Sequence, residues 1–147
     1  MRTVNRKARS FYQVLETIQA GIELKGPEVK SIREGKADIS EAFVRIKDGE
    51  AWLFNAHVHP FKGSEKLGID PTRPRKLLLH KSQILSLQHK VSQKGLTMIP
   101  LLLYTTPRLI KAEIALARAK KKFEKRETLK RRDIEREIER ELKGKSS

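Results

Sequence analysis

Hydrophobic and polar residues alternate along much of the first 117 positions, as is typical of short β-strands with one buried face. Prolines and glycines between these stretches predict turns. The pattern predicts six strands, with a bend in the first at Ala20–Gly21 and a bulge or an edge position in the fifth at Pro100. The six strands are predicted over residues 12–24, 41–47, 51–59, 75–79, 96–106 and 109–117.

The second and third strands are predicted to form a hairpin, because Asp48–Gly49 is a strong two-residue turn signal. Residues 59–74 hold three prolines and predict a long irregular loop, which is a kind of segment that is often functional. Alternation places one face of each strand inward. For the hairpin strands and the last strand these faces are Ala42, Val44 and Ile46, then Trp52, Phe54, Ala56 and Val58, then Ile110, Ala112, Ile114 and Leu116.

Two other stretches repeat their apolar residues at helical spacing. The first is about two turns long, with Pro27 and Glu28 in its first turn and Gly35 as a C-cap. The second covers residues 80–94 and stops at the following glycine. Many short antiparallel strands with inserted helices predict a mainly β fold, a small closed six-stranded barrel with two to three helices. Residues 1–10 are basic without an apolar period and predict an arm that orders on a partner.

The chain is strongly basic, with a net charge of +15 and a pI near 10.3. Residues 118–132 hold nine basic and two acidic side chains, and residues 1–117 hold twenty and eleven. A polyanionic partner is therefore expected, with nucleic acid first and an anionic membrane surface second. Aromatic residues make up only 5% of the chain, which favours recognition of folded RNA by shape and phosphates over base stacking.

These charges divide the chain into a predicted body, residues 1–117, and a predicted basic tail, residues 118–147. We expect the tail to be disordered alone and helical inside a partner. Two other interpretations of the tail stay open. Charge runs often form solvated tails, and the four-residue repeat in RDIEREIERELK would also suit a short coiled-coil stub, although sustained heptads are absent.

Several classes of function find no support in the sequence. There is no cysteine, which excludes disulfides and thiolate metal sites. No general acid–base pair or nucleotide-binding glycine motif occurs, so we expect a protein that is not an enzyme and needs no cofactor. His57 and His59 share a strand face but have no third ligand at suitable spacing, so no metal site is predicted. No apolar run approaches the ~20 residues of a membrane span, and we expect a monomeric cytoplasmic protein.

Three local strings are more specific than these patterns: GPEVKSIREGKADIS (26–40), DPTRPRKLLLHK (70–81) and ALARAKKKFEKRETLKRRD (115–133). Together with NRKAR (5–9) and QKGLT (93–97), they resemble the SsrA-binding protein family, small protein B (SmpB), over nearly the whole chain and in the family's order. The resemblance implies an oligonucleotide-binding (OB)-type β-barrel that binds the tRNA-like domain of transfer-messenger RNA (tmRNA). It also implies delivery of tmRNA to stalled ribosomes for trans-translation, with no reaction catalysed by the protein.

In this family the body takes the place of an anticodon arm, and the tail enters the vacant mRNA channel beside the decoding centre of the small subunit. The RNA-binding residues that the resemblance implies are Asn5, Arg6, Lys7, Gln19, Glu28, Lys30, Arg33, Lys76, Leu78, Lys120, Lys121 and Lys122. The residues implied to contact the ribosome from the tail are Lys125, Arg126, Lys130, Arg131 and Arg132.

The chain departs from the family pattern at three single positions, and its turn around Pro107 lacks the Asn and Gly residues that are common there. Gln19 replaces the usual glutamate and alters one polar contact to the RNA, Ala119 replaces the usual glycine and stiffens the hinge into the tail, and Glu124 replaces the usual aspartate. The rival hypothesis is a general RNA-binding protein, either a ribosome-associated structural protein or an RNA chaperone. Such a protein would not prefer the tRNA-like domain to an unrelated hairpin.

Overall fold

The computed structural model describes residues 2–120, which form nine strands, three α-helices and one short 3-10 helix, Glu65–Leu67. The strands are β1 (Arg2–Val4), β2 (Tyr12–Ile22), β3 (Ala37–Asp38), β4 (Phe43–Lys47), β5 (Glu50–Phe54), β6 (His57–Val58), β7 (Arg75–Leu78), β8 (Thr97–Thr105) and β9 (Ile110–Ala119). The α-helices are α1 (Ala8–Phe11), α2 (Gly26–Arg33) and α3 (Lys81–Lys94).

Six of the strands form a closed ring in which every neighbouring pair is antiparallel. Their order is β8, β4, β5, β7, β2 and β9, and β9 pairs with β8 again. β1 pairs with the second half of β8, and β3 and β6 form a separate two-stranded ladder. The fold is mainly β, as predicted, and the six predicted strands are the six that close on one another. β9 continues to Ala119, past the predicted end of the body at residue 117.

The inner faces of the ring form the main hydrophobic core, onto which α2 and α3 add Ile32 and Leu87. Alternation predicted the inner face of β9 correctly. All four of its inward positions are buried, from Ile110 to Leu116. The register shift between Pro100 and Leu102 confirms the predicted bulge in β8.

The predicted inner face of the third strand was wrong in its first half. Ala51 and Leu53 are buried there, whereas Trp52 and Phe54 are half-buried on the outer face. The reason is Asn55, which adopts a φ of 63° and ends β5. A residue in the left-handed region turns the chain, so the alternation restarts in a new phase beyond it. Ala56 and Val58 lie inward, as predicted.

The N-terminal segment is folded onto the outside of the ring, so the prediction that residues 1–10 form an arm ordered only by a partner was wrong. Ala8 of α1 packs with Ile99, Ala115 and Ala117 in a second small core. Here β9 is buried on both faces, because alanines on its outer face leave room for the backbone of α1 to approach. The sequence does not reveal this packing, because alanines fit either the buried or the exposed face of a strand.

Candidate nucleic-acid interface

Asn5 fastens the N-terminal segment to the bulge in β8. Its backbone N–H donates to the carbonyl of Leu101 at 2.8 Å, and its side-chain amide donates to the carbonyl of Pro100, also at 2.8 Å. Its side-chain oxygen accepts from the backbone N–H of Lys7 at 3.2 Å. Asn5 is only 6% exposed. The structure therefore gives it the role of positioning the exposed side chains of Arg6 and Lys7 rather than of touching a ligand itself.

Lys7 already has a partner in the free protein. Its ammonium group forms an exposed ion pair with Glu41, and this pair raises the pKa of Lys7 through the hydrogen bond and the nearby negative charge. Exposed pairs of this kind contribute about 0–1 kcal/mol. A phosphate group could therefore displace Glu41 from Lys7 at little cost.

A row of side chains crosses the outer face of four strands of the ring and β1 in register. Tyr104 pairs with Arg2 and with Lys111, Lys111 pairs with Gly21, and Gly21 pairs with Leu78. We call these five residues the outer row. Leu78 is 53% exposed, and a Cβ on Gly21 would lie 3.3 Å from the side chain of Leu78. Glycine thus lets this exposed leucine lie close against β2.

Three of the predicted RNA-binding residues meet beside the outer row. Gln19, Lys76 and Leu78 line one open depression. Lys76 forms a half-exposed ion pair with Glu50 at 3.1 Å, and Gln19 accepts a hydrogen bond from the hydroxyl of Tyr104 at 2.7 Å. The substitution of glutamine for the family's usual glutamate therefore leaves an uncharged acceptor at this point.

Lys111 is a candidate that the sequence reasoning missed. It stands in the outer row between Tyr104 and Gly21. The alternation that places Ala112 and Ile114 inward also points Lys111 outward, so the signal was present in the sequence.

Glu28, another predicted RNA-binding residue, lies inside the protein and is only 3% exposed. Its carboxylate accepts hydrogen bonds from Arg73 and from the Nε of Arg75, the latter at 2.7 Å, and from the backbone N–H of Lys25 at 2.9 Å. Arg75 is 1% exposed and also donates to the carbonyls of Ala56 at 2.8 Å and Pro71 at 3.0 Å. The carboxylate is thus engaged by groups of the protein itself.

The groups around Glu28 determine the direction in which its pKa is shifted. Burial alone would raise the pKa of Glu28, but the hydrogen bonds from Arg73, Lys25 and Arg75 outweigh burial, so the pKa lies below its ordinary value. The cluster ties α2 to the loop of residues 59–74. Glu28 therefore acts as a positioning residue, and the predicted loop is held in place by ionic contacts.

The two predicted cations of α2 also make contacts. The ammonium of Lys30 lies 5.3 Å from the centre of the Phe61 ring, and Arg33 donates to the carbonyl of Thr106 at 3.2 Å. Both remain exposed. α2 thus places one cation at the loop and the other at the turn between β8 and β9.

Lys120 ends the described part of the chain. Its backbone N–H donates to the carbonyl of Phe11, and its ammonium donates to the carbonyl of Arg9. The other predicted tail residues lie outside the described residues: Lys121, Lys122, Lys125, Arg126, Lys130, Arg131 and Arg132.

The two histidines considered as metal ligands lie close together, with ring centroids 4.5 Å apart. Within residues 2–120, no group of three His, Cys, Asp or Glu side chains could hold a metal ion. Nor does this part of the chain contain a helix long and apolar enough to cross a membrane.

Comparisons with known proteins show which family this chain resembles. The model of the SmpB protein family matches residues 2–144. An SsrA-binding protein of Sulfurihydrogenibium sp. is 54% identical over 141 residues, which cover 96% of this chain and 93% of that protein. One of Persephonella marina is 52% identical over 141 residues, with the same coverage of both chains.

A solved structure described as "tmRNA-SmpB: a journey to the center of the bacterial ribosome" superposes with a TM-score of 0.69 at 48% identity. It covers 82% of this chain and 85% of that chain. The resemblance seen in the local strings is confirmed by matches over almost the whole length. The chain therefore belongs to the SmpB family of SsrA-binding proteins.

Proposed function

We propose that the protein binds the tRNA-like domain of tmRNA and delivers it to stalled ribosomes for trans-translation. Family membership supports this, as does the solved relative whose description joins SmpB to tmRNA and to the bacterial ribosome. The observation on this chain that carries the proposal is the outer row with its flanking cations. Residues 1–117 carry a net charge of +9, and the row holds the exposed Arg2 and the half-buried Lys111 on the same outer face as Lys76.

Direct RNA contacts fall to the accessible side chains of the predicted set. We assign phosphate contacts to the cations at the N-terminal segment, on α2, beside the outer row and at the start of the tail. These are Arg6, Lys7, Lys30, Arg33, Lys76, Lys111, Lys120, Lys121 and Lys122. Leu78 offers the RNA an apolar contact and Gln19 a polar one. Asn5 and Glu28 hold the surrounding segments in place.

The tail completes the proposal. It would occupy the empty mRNA channel next to the small-subunit decoding centre, with Lys125, Arg126, Lys130, Arg131 and Arg132 on ribosomal phosphates. The protein would contribute binding and positioning rather than a reacting group, as a monomer at cytoplasmic ribosomes. Like charges crowded in the tail favour a polyanionic surrounding, because bound phosphates relieve their repulsion.

A competition experiment tests this function. Labelled tRNA-like domain bound to the full-length protein should resist displacement by bulk tRNA and by an unrelated hairpin of equal length. Lys76→Ala with Lys111→Ala should weaken the complex, whereas Lys94→Ala with Lys90→Ala, which removes the same charge from α3, should change it little. Equal displacement by unlabelled tRNA-like domain, by bulk tRNA and by the hairpin would favour the general RNA-binding protein instead.

The affinity for the tRNA-like domain should also fall steeply with salt, because each neutralised phosphate releases counterions. The logarithm of the binding constant should decrease linearly with the logarithm of the salt concentration. Lys111→Ala should reduce that slope by about one. Filter binding over a salt series measures the slope, and a flat series would contradict a phosphate-based interface.

A further inference from the structure

A groove runs between the N-terminal segment and the outer face of β8 and β9. Its apolar floor comes from Val4, Leu101 and Leu102, its rim carries Arg6 and Arg9, and its volume is about 640 Å³. It opens into a second depression, of about 430 Å³, that holds Arg2, Gln19 and Tyr104 of the outer face. Leu102 and Glu113 line both spaces. We call the two together the N-terminal groove.

Glu113 is the unusual feature of this groove. It is half-buried on the outer face of β9, between Leu102 of β8 and Gln19 of β2. Among residues 2–120 its side chain has no hydrogen bond or ion pair, although the arginines of the rim also line the groove. Its cross-strand neighbour Gln19 uses its side-chain oxygen to accept from the hydroxyl of Tyr104 and makes no hydrogen bond to Glu113 within the described residues. The carboxylate is therefore available to a ligand.

The charge pattern narrows what that ligand can be. Three arginines surround the groove and favour phosphates, whereas a carboxylate repels a phosphate and can only accept hydrogen bonds. The part of an RNA that covers Glu113 must therefore be a hydrogen-bond donor, either a base edge or a ribose 2′-OH, and not a phosphate. A base on the apolar floor can donate hydrogen bonds to Glu113, and its flanking phosphates then lie toward the arginines.

We propose that the N-terminal groove binds an unpaired guanine, with Glu113 accepting hydrogen bonds from N1–H and the N2 amino group of the base. Guanine is the one standard base that presents two adjacent donors on its Watson–Crick edge, which matches the two oxygens of a carboxylate. Charge-assisted paired hydrogen bonds of this kind are strong and directional. The guanine must be unpaired, because pairing would occupy the same edge. This inference rests on the proposed function, since it takes RNA as the ligand.

A basic protein segment is the other occupant that could donate two hydrogen bonds to Glu113. A guanidinium group would have to enter among Arg2, Arg6 and Arg9, which repel it. An RNA strand gains from those three charges, so the groove fits RNA better than a basic peptide.

The test uses full-length protein and three labelled single-stranded RNA pentamers that differ only at the central base: guanine, inosine or adenine. Inosine lacks the N2 amino group. Wild-type protein should bind the guanine pentamer roughly tenfold or more tightly than the inosine one, the effect of losing one hydrogen bond to a charged group. Glu113→Gln should abolish this difference while the adenine pentamer binds no more weakly than before.

Glu50→Gln is the matched control. It removes one negative charge from the same outer face, but from a carboxylate that is already paired with Lys76. It should strengthen all three pentamers alike and keep the preference for guanine. If Glu113 acted only by repelling phosphates, Glu113→Gln would behave in the same way, and the proposal would be overturned.

Two further outcomes would also overturn it. One is equal binding of guanine and inosine by wild-type protein, which needs no variant and so no assumption about folding. The other is tight, Glu113-dependent binding of an arginine-rich peptide that displaces the guanine pentamer.

The tRNA-like domain is measured beside bulk tRNA on the same samples. A retained preference for that domain with no guanine preference rejects this inference alone, and the reverse result rejects the proposed function alone.

Discussion

Replacing Glu28 by alanine is expected to lower the free energy of unfolding by about 3–5 kcal/mol, the range seen when one partner of a buried ion pair is removed. Arg75 would be left charged and 1% exposed, without the carboxylate that neutralises it. Arg73 would lose its anchor as well, which frees the loop of residues 59–74 from α2. Urea unfolding at neutral pH measures the difference.

The control for this change lies directly after the same helix. Glu34→Ala removes an exposed carboxylate that pairs with Lys36 at 3.3 Å, and it should cost less than about 1 kcal/mol. If the two variants lose similar stability, the cluster around Glu28 does not hold α2 and the loop together. If Glu28 only positions other residues and touches no RNA, the Glu28→Ala variant should bind RNA again at low temperature.

The pH dependence of stability at this position follows from the lowered pKa of Glu28. A carboxyl group whose pKa is lower in the folded state stabilises the fold fully above its unfolded value, near 4.5, and loses that contribution as pH falls through the folded pKa. The stability difference between the wild type and Glu28→Gln should therefore be largest above that pH and shrink on acidification. A constant difference at every pH would show that the lost contribution is not ionic.

Removal of residues 121–147 is expected to abolish tagging on stalled ribosomes while the tRNA-like domain still binds, only weakened by the loss of the Lys121 and Lys122 contacts. The cut belongs after Lys120, because β9 runs to Ala119 and the backbone of Lys120 bonds to Phe11. Residues 1–120 keep twenty-two basic and eleven acidic side chains, so most of the positive charge remains. Tagging in a reconstituted translation system and filter binding of the RNA measure the two outcomes.

A scrambled tail separates sequence from charge in this experiment. A variant with residues 121–147 in shuffled order keeps the composition and should restore any RNA affinity lost through charge, but not tagging. Unchanged thermal unfolding of the truncated protein would show that its body is intact. If the truncated protein still tags stalled chains, the proposed division of labour between body and tail is wrong.

Particular residues show how far the candidate site could be predicted. Lys76 and Leu78 were named from a family string and Gln19 as a departure from the family pattern, and the structure brings these three together in one depression. Asn5 and Glu28 were named from other such strings, yet both are buried and engaged with other parts of the protein. A motif marks a position as constrained without saying whether a ligand or the fold imposes the constraint.

The amino-acid sequence by itself determined the order and type of the main elements, since side chains of strands and helices repeat with fixed local periods. It also determined the basic charge of the body and the absence of cysteine chemistry. Only the tertiary structure decided that the N-terminal segment covers the alanines of β9, that Arg73 and Arg75 meet Glu28, and that Glu113 has no partner in the described chain. The longest of those contacts join residues more than a hundred positions apart, and local periodicity carries no information about which distant side chains the closed ring brings together.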